Sequence, residues 1–412
     1  MRRLNLTIAI SLTFFCCNAQ ENIKSFTLKN IHEVLSIDPD SIDYSDLDMI
    51  GKAIGNSRVV MLGEQDHGDA PTFLAKTRLI KYLHEKLGFD VLVFESDFWG
   101  LSRIWDNIPV SGLSIDSIRH NTYGIWSKCV QVQPLYSYVN KCYENKTPLI
   151  VSGMDCRHAL SYSKSNYLNE FDSTVLQKSS LKNKPAILKH FKIILEQLID
   201  KERKSNSSKA DRHFFLSTID TLKRELDQNN KFWLQELNNI KGCARNIWRG
   251  RFGGYFPIRD IQMADNLNWL FHIKYPREKI IVWAHNAHIA RNLSGDHRKI
   301  YYYNQTVGNE MFNILKDTVY ALGFTSYSGS AGRIPTKPYD IPSPKGECFE
   351  NWVDSKELKY AFINFRNYAG HDIFRMQGTY HWDVKAQWTN IFDGVFYIKQ
   401  MYPCDNIAKR KN

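Results

Sequence analysis

Short apolar runs alternate with longer amphipathic stretches along most of this chain. Four of the runs read as strands buried on both faces, and each stops at a polar cluster. Val59–Leu62 passes into Gly63-Glu64-Gln65-Asp66-His67-Gly68, and Val91–Phe94 into Glu95-Ser96-Asp97. Leu149–Ser152 passes into Gly153-Met154-Asp155, and Ile280–Trp283 into Ala284-His285-Asn286-Ala287-His288. Between the first two runs, Phe73, Thr77, Ile80, Leu83, His84 and Leu87 recur at helical steps. Pro71 suits a first helical position and Gly88 a C-cap, so a helix from Pro71 to Leu87 closes a right-handed βαβ unit.

Further along, Ile187, Leu188, Phe191, Ile194, Leu195 and Leu198 form one helical stripe, and Phe214, Phe215, Ile219, Leu222 and Leu226 form another. Ser205-Asn206-Ser207-Ser208 separates them, which predicts a helical hairpin inserted at about residues 175–250, with a lid and plain scaffolding both open to it. An amphipathic helix from Arg259 to Tyr275, with Met263, Leu267, Leu270 and Phe271 inward, feeds the fourth run. Val319–Phe324, Ala361–Phe365 and Val395–Ile398 read as additional strands, and Pro335–Pro344 as a surface loop. One or two short helices are expected between residues 20 and 50, with turns at Asp38-Pro39-Asp40 and Tyr44-Ser45-Asp46. The fold expected is α/β, a central and mostly parallel sheet flanked by helices. It forms one domain over residues 20–412 that carries the helical insertion.

In such a sheet, ligands bind beyond the carboxyl ends of the strands. If the four runs are parallel neighbours, Glu64, His67, Glu95, Asp155, His285 and His288 converge there. Gly63 and Gly68 allow a sharp turn, so that Glu64 and His67 point into the crevice. Histidine titrates near neutrality and can take a proton from water, with a nearby carboxylate fixing its tautomer. Each residue also has a plainer role open to it. Glu95 can simply pair with Arg78 or Arg103, Asp155 with Arg157, and His67 can cap a helix.

Composition narrows the classes. An apolar share of 43% with 13% aromatic residues describes a globular protein. The net charge is +11. The basic residues are scattered apart from Lys201–Lys204 and Lys409–Lys411, so no nucleic-acid partner is expected. Met1-Arg2-Arg3, an apolar run from Leu4 to Cys17 and then Asn18-Ala19-Gln20 have the form of a secretory signal peptide cut after Ala19. Lipid attachment at Cys16 or Cys17 stays open, although bulky Phe14-Phe15 precedes them. No later run is long enough to span a membrane, so the mature chain is expected to be exported with no integral membrane span. Cleavage would leave Cys129, Cys142, Cys156, Cys243, Cys348 and Cys404. These contain no CxxC pair; the favoured reading is a set of buried thiols with at most one bridge, for which Cys129–Cys142 is a local candidate that sequence alone cannot assign.

Three histidines and three carboxylates could hold zinc, iron or manganese, yet HExxH is absent and no metal or other cofactor is expected. A serine nucleophile is disfavoured because no GxSxG elbow exists. Cys156 beside Arg157 is the one cysteine at a strand end.

The motifs Leu62-Gly63-Glu64-x-x-His67-Gly68, Phe94-Glu95-Ser96-Asp97, Arg259-Asp260-x-x-Met263-Ala264-x-Asn266 and Trp283-Ala284-His285-Asn286-Ala287-His288-Ile289-Ala290-Arg291 together resemble the erythromycin esterase family, in its order and across roughly residues 30–400. The resemblance implies metal-independent hydrolysis of an ester, in the best-known members a macrolide lactone. It implies that His67 is the general base and Glu64 its support, with Glu95, His285 and His288 completing the site. Active members often carry arginine nine residues past the histidine, where this chain has Lys76. Lysine is a point donor without arginine's bidentate fork. Arg78 lies about 200° further round a helix and does not simply substitute. Lys76, Arg78 and Asp155 are the expected substrate-side residues, and the partner is a small-molecule ester. The wider superfamily that the fold resembles includes envelope proteins that bind haem, which leaves a haem- or metal-binding envelope protein on the same scaffold, or a metal-dependent hydrolase, as the alternatives.

Overall fold

The computed structural model describes residues 22–200, 207–249, 257–292 and 305–408. Its strands are β1 His32–Glu33, β2 Val59–Leu62, β3 Phe89–Asp97, β4 Ile150–Asp155, β5 Lys279–Trp283, β6 Val319–Ala331, β7 Tyr339–Asp340, β8 Tyr360–Asn364, β9 Phe374–Thr379, β10 Trp382–Ala386 and β11 Gly394–Met401. One sheet runs in the order β4-β3-β5-β2-β6-β11-β8-β1, with β7 paired to β6. Every neighbour pair from β4 to β11 is parallel, while β8 and β1 are antiparallel additions at the far edge.

Alternation along the strands explains why apolar runs were needed. Val59, Met61, Val91, Val93, Ile280 and Val282 face one core with Met263 and Leu267 of the helix Pro257–Trp269. Val60, Leu62, Leu92, Phe94, Ile281 and Trp283 face the other core with Phe73, Leu79, Ile80 and Leu83 of the helix Ala70–Leu87. Successive side chains on a strand point to opposite faces, so a sheet covered on both sides has no polar position to spare. Burying each such side chain contributes about 1.5–3 kcal/mol. The helix Ala70–Leu87 starts with Pro71 in its first turn and ends at Gly88, whose φ of 66° is the left-handed cap conformation.

The chain builds from β2 to β3 and β4 in one direction, then returns to lay β5 between β2 and β3 before passing to β6 on the other side. That reversal opens a crevice at the carboxyl ends of β2, β5 and β3. The four polar clusters meet there.

The insertion is larger than the expected hairpin. It holds three helices, Pro185–Asp200, Lys209–Glu225 and Lys231–Arg249. They share a core of Phe191, Leu195, Phe215, Ile219, Leu237 and Ile240 that closes on Trp99, Cys156 and Tyr167. Ser208 begins the second helix with a reciprocal capping box to Asp211. Two further expectations change. Pro335–Pro344 contributes the short exposed strand β7 rather than loop alone. The β9–β10 hairpin was not foreseen; it turns through Tyr380 and His381, both with positive φ, 50° and 52°.

The described cysteines are buried thiols with one bridge, as favoured, but the local candidate Cys129–Cys142 does not form. Cys129 is joined to Cys404, 275 residues away, and Cys142, Cys156, Cys243 and Cys348 are buried thiols. The bridge ties the loop before the helix Gln133–Glu144 to the segment after β11, contacts that no spacing rule contains. Residues 1–19, read above as a signal peptide, lie outside the described residues. Among the described residues no helix is long and apolar enough to cross a membrane.

Candidate active site

Glu64 and His67 follow β2 directly. A Cβ at Gly63 would run into the Asn286 side chain, and one at Gly68 into the Gly332 carbonyl. These glycines are therefore needed for close approach rather than for an unusual φ. Asn286 holds the two loops in register. Its backbone N–H donates to the Glu64 carbonyl at 2.8 Å, and its amide donates to the carbonyls of Phe324 and Gly378 at 2.7 and 2.6 Å.

The buried Glu64 carboxylate gathers three donors. His67 Nδ1 lies 2.8 Å from Oε1, Trp126 Nε1 donates to the same oxygen at 3.0 Å, and Lys76 Nζ donates to Oε2 at 2.7 Å. With Nδ1–H given to Glu64, Nε2 is the basic nitrogen of His67. Its side chain is 13% exposed, while those of Glu64 and Lys76 are fully buried. Lys76 also sits 4.0 Å from the Trp283 ring centroid. Burial pushes its pKa down to about 8 although Glu64, Glu95 and Asp69 oppose the shift.

His285 forms the facing wall, its ring 5.0 Å from that of His67 and 4.4 Å from that of Tyr380. Nδ1 accepts the Ala287 N–H at 3.0 Å, which puts the proton of the neutral ring on Nε2. That Nε2 is buried and has no hydrogen-bond partner among the described residues. Burial, then the charges of His67 and His288, hold the His285 pKa well below the usual histidine value. Neutral His285 is thus a donor without an acceptor at the centre of the crevice.

Behind it lies an ionic cluster. Arg259 donates through Nη2 to Glu95 at 2.9 Å and to Asp155 at 2.7 Å, with Nε a further 3.1 Å from Asp155. Tyr123 OH donates to Asp155 at 2.7 Å, and the His285 backbone N–H donates to Glu95 at 3.1 Å. His288 is held at Nδ1 by Asp260 at 2.9 Å. Its Nε2 lies 3.1 Å from both Glu95 Oε1 and Arg259 Nη1. Burial disfavours the His288 cation, but Asp260 and Glu95 outweigh it and raise the pKa to about 10. A charged ring can donate only to Glu95, so that pairing prevails. Burial likewise opposes ionisation of Glu95, yet His288 and Arg259 keep its pKa well below the carboxylate norm.

The structure therefore brings together Glu64, His67, Lys76, Glu95, Asp155, His285 and His288. Arg78 does not join them. It is buried elsewhere against both oxygens of Asp46 and the carbonyls of Ser36 and Asp43, and it anchors the N-terminal segment. The simple pairings of Glu95 with Arg78 or Arg103 and of Asp155 with Arg157 give way to Arg259; Arg103 instead pairs with Glu170. Arg259, Asp260, Trp126 and Tyr123 carry no role in the sequence reading. Arg259 and Asp260 belong to one of its motifs, but the aromatic pair sits at the short helix Gly124–Ser127, with no strand-end signal. Among the described residues no group of three or more His, Cys, Asp or Glu side chains is arranged to hold a metal ion.

A profile of the erythromycin esterase family matches residues 84–401, more than three quarters of the chain. This chain belongs to the erythromycin esterase family. The family match takes in Glu95, Asp155, Arg259, His285 and His288 and begins after the Glu64–His67 loop. Among relatives of this family member, YbfO of Bacillus subtilis, named as a hydrolase, is 26% identical over 412 residues, covering 89% of each chain. Erythromycin esterase type II of Escherichia coli is 25% identical over 417 residues, covering 90% of this chain and 96% of its own. The fold recurs in a Bacillus cereus protein with a TM-score of 0.75 at 17% identity, covering 92% of this chain and 97% of that one. An erythromycin esterase variant in its open conformation superposes with a TM-score of 0.66 at 15% identity, covering 91% and 98%.

Proposed function

We propose that this protein is an exported hydrolase that cleaves a carboxylic ester or lactone by general-base activation of water at His67. The observation that carries the reading is the Glu64–His67 dyad. Its base is oriented at one nitrogen, accessible at the other, and faces the unpartnered Nε2–H of His285. The family and the two named relatives support hydrolysis, and the Escherichia coli relative makes a macrolide lactone the first substrate to try. The Cys129–Cys404 bridge favours an oxidising compartment, in keeping with the signal-like first nineteen residues.

In the proposed reaction, His67 Nε2 takes a proton from water as the water oxygen attacks the ester carbonyl carbon. The resulting oxyanion is met by His285 Nε2–H. When the C–O bond to the alcohol breaks, the proton held by His67 passes to the departing alkoxide. One water is consumed, and an acid and an alcohol leave. Glu95, Arg259 and His288 do not act on the substrate in this scheme. They fix the His285 backbone and the wall behind it. The test is mass spectrometry of erythromycin and a panel of simple esters incubated with the mature protein, with and without EDTA. Ring-opened erythromycin heavier by one water, or from an acyclic ester an acid and an alcohol that together carry one added water, is expected, formed equally with EDTA. No hydrolysis across the panel would overturn the assignment.

Lys76 gives the reaction a pH signature. Its ammonium supports Glu64 below about pH 8 and is lost as pH rises through that value. Arginine stays charged throughout this range. Activity should therefore fall above about pH 8 in the natural chain, and Lys76→Arg should move that fall upward. Superimposable alkaline limbs in a kcat/KM profile would show that the Lys76 charge is not used.

A further inference from the structure

Trp126 sits in the short helix Gly124–Ser127 and is fully buried. Its indole packs on Tyr123 at 6.2 Å, Phe94 at 6.0 Å and Trp283 at 6.4 Å, and meets the His67 ring nearly at right angles, 5.6 Å away. That packing leaves Nε1 3.0 Å from Oε1 of Glu64, the oxygen that also takes Nδ1–H of His67 at 2.8 Å. One carboxylate oxygen is thus shared between the general base and a donor that never titrates.

This bond does more than satisfy a buried N–H. Trp99 and Trp283 are equally buried, and their Nε1 atoms have no hydrogen-bond partner among the described residues. Packing here therefore does not require an acceptor for every indole. Nor is the N–H needed to balance the charge of Glu64, because the Lys76 ammonium already pairs with its other oxygen. The donor is also fastened to the loop it serves. Cys129 donates its N–H to the Trp126 carbonyl at 3.0 Å and is joined to Cys404, whose own N–H donates to the Gly68 carbonyl at 2.9 Å. The turn that carries the indole is thereby tied, across one disulfide, to the residue after His67.

We infer that Trp126 is a positioning residue for the Glu64–His67 dyad. Its N–H holds the carboxylate toward Nδ1 and draws charge from the shared oxygen, and so limits how strongly Glu64 stabilises the imidazolium formed when His67 takes a proton from water. This rests on the proposed hydrolysis and adds a residue to its machinery. Being fully buried, Trp126 acts through Glu64 and not on the substrate. Without the N–H, the full carboxylate charge faces His67, and the imidazolium is favoured to a higher pH. Asp66 and Glu95 also act on the His67 ring, as do His285 and, through Glu64, Lys76; Arg333 acts through Asp66. All of these stay the same when only the indole is changed.

The experiment sets Trp126→Phe, and the replacement of Trp126 by benzothienylalanine, against the natural protein. The second is an isostere in which sulfur takes the place of the N–H, so its effect reports that group with the ring's shape kept. One readout is the pH profile of kcat and KM on whichever ester of the panel is cleaved. The other is an NMR titration of the histidine rings, with His67→Gln identifying the His67 signals. In both variants the acid limb of kcat/KM and the His67 ring titration should move up by about half to one pH unit, while kcat falls about two- to tenfold and KM holds, the range of one hydrogen bond. An unmoved or lowered limb and ring titration in the isostere, with hydrolysis intact, would reduce Trp126 to packing and overturn the inference. Failure of the isostere to fold would overturn it as well, since the N–H would then be structural. A raised ring titration without hydrolysis of any ester would uphold the link from Trp126 to the dyad and overturn the esterase assignment instead.

Discussion

His67→Ala should lose about a hundred- to ten-thousandfold in kcat/KM on whichever ester the protein hydrolyses, the range that general-base catalysis supplies. The fold should survive. The His67 side chain is 13% exposed and makes one hydrogen bond, to Glu64. When it is removed, Glu64 still keeps Lys76 on one oxygen and Trp126 on the other, so no buried charge is orphaned. Thermal unfolding measured beside steady-state kinetics separates the two effects. A variant that stays fully active would remove His67 from the mechanism, and one that fails to fold would make the ring structural.

Arg259→Met should act the other way, on stability first. The guanidinium serves Glu95 and Asp155 together, and all three side chains are buried. Removing one partner of a buried ion pair costs about 3–5 kcal/mol, because the remaining charge is left without compensation. Here His288 continues to serve Glu95 and Tyr123 continues to serve Asp155, which argues for the lower end of that range. The pH dependence gives a second check. Burial raises the pKa of both carboxyls, but Arg259 and its neighbours hold them below their ordinary values. Their stabilisation is therefore present above the unfolded carboxylate pKa of about 4 and is lost as pH falls through the lower folded values. Without Arg259 the folded values rise, so acid unfolding should begin at higher pH. Urea unfolding at neutral pH and an acid titration of ellipticity measure both. A loss under about 1 kcal/mol would mean that the cluster relaxes around the missing cation.

How much of this was legible beforehand follows from what each element depends on. The four strands and their polar ends were readable because a parallel sheet covered on both faces requires uninterrupted apolar runs, and ligands gather where such runs stop. That rule alone brought Glu64, His67, Glu95, Asp155, His285 and His288 into one crevice. Helical phase separated Lys76 from Arg78: two residues apart on one helix, they end at Glu64 and at Asp46. Phase should also have revealed the third insertion helix, since Trp233, Leu237, Ile240, Ala244 and Trp248 recur at steps of three and four and are all buried. The rest depended on tertiary partners. Arg259 looks like an ordinary first-turn residue until β3 and β4 place two carboxylates over it. Trp126 sits in the four-residue helix Gly124–Ser127, too short to show a period, and Cys404 meets Cys129 only after the sheet has closed.

The β9–β10 hairpin has a consequence for biosynthesis. Tyr380 donates its N–H to the Gln65 carbonyl at 2.9 Å, His381 Nε2 lies 3.1 Å from Asp69, and the Tyr380 ring covers His285. The loop that carries the general base is thus fastened by residues made more than 300 positions later in translation. A nascent chain emerging from the ribosome holds Glu64 and His67 long before their clasp exists. Catalytic competence should arise abruptly, within the last tenth of synthesis, and a chain ending before residue 374 should have no working site however well its earlier strands have paired.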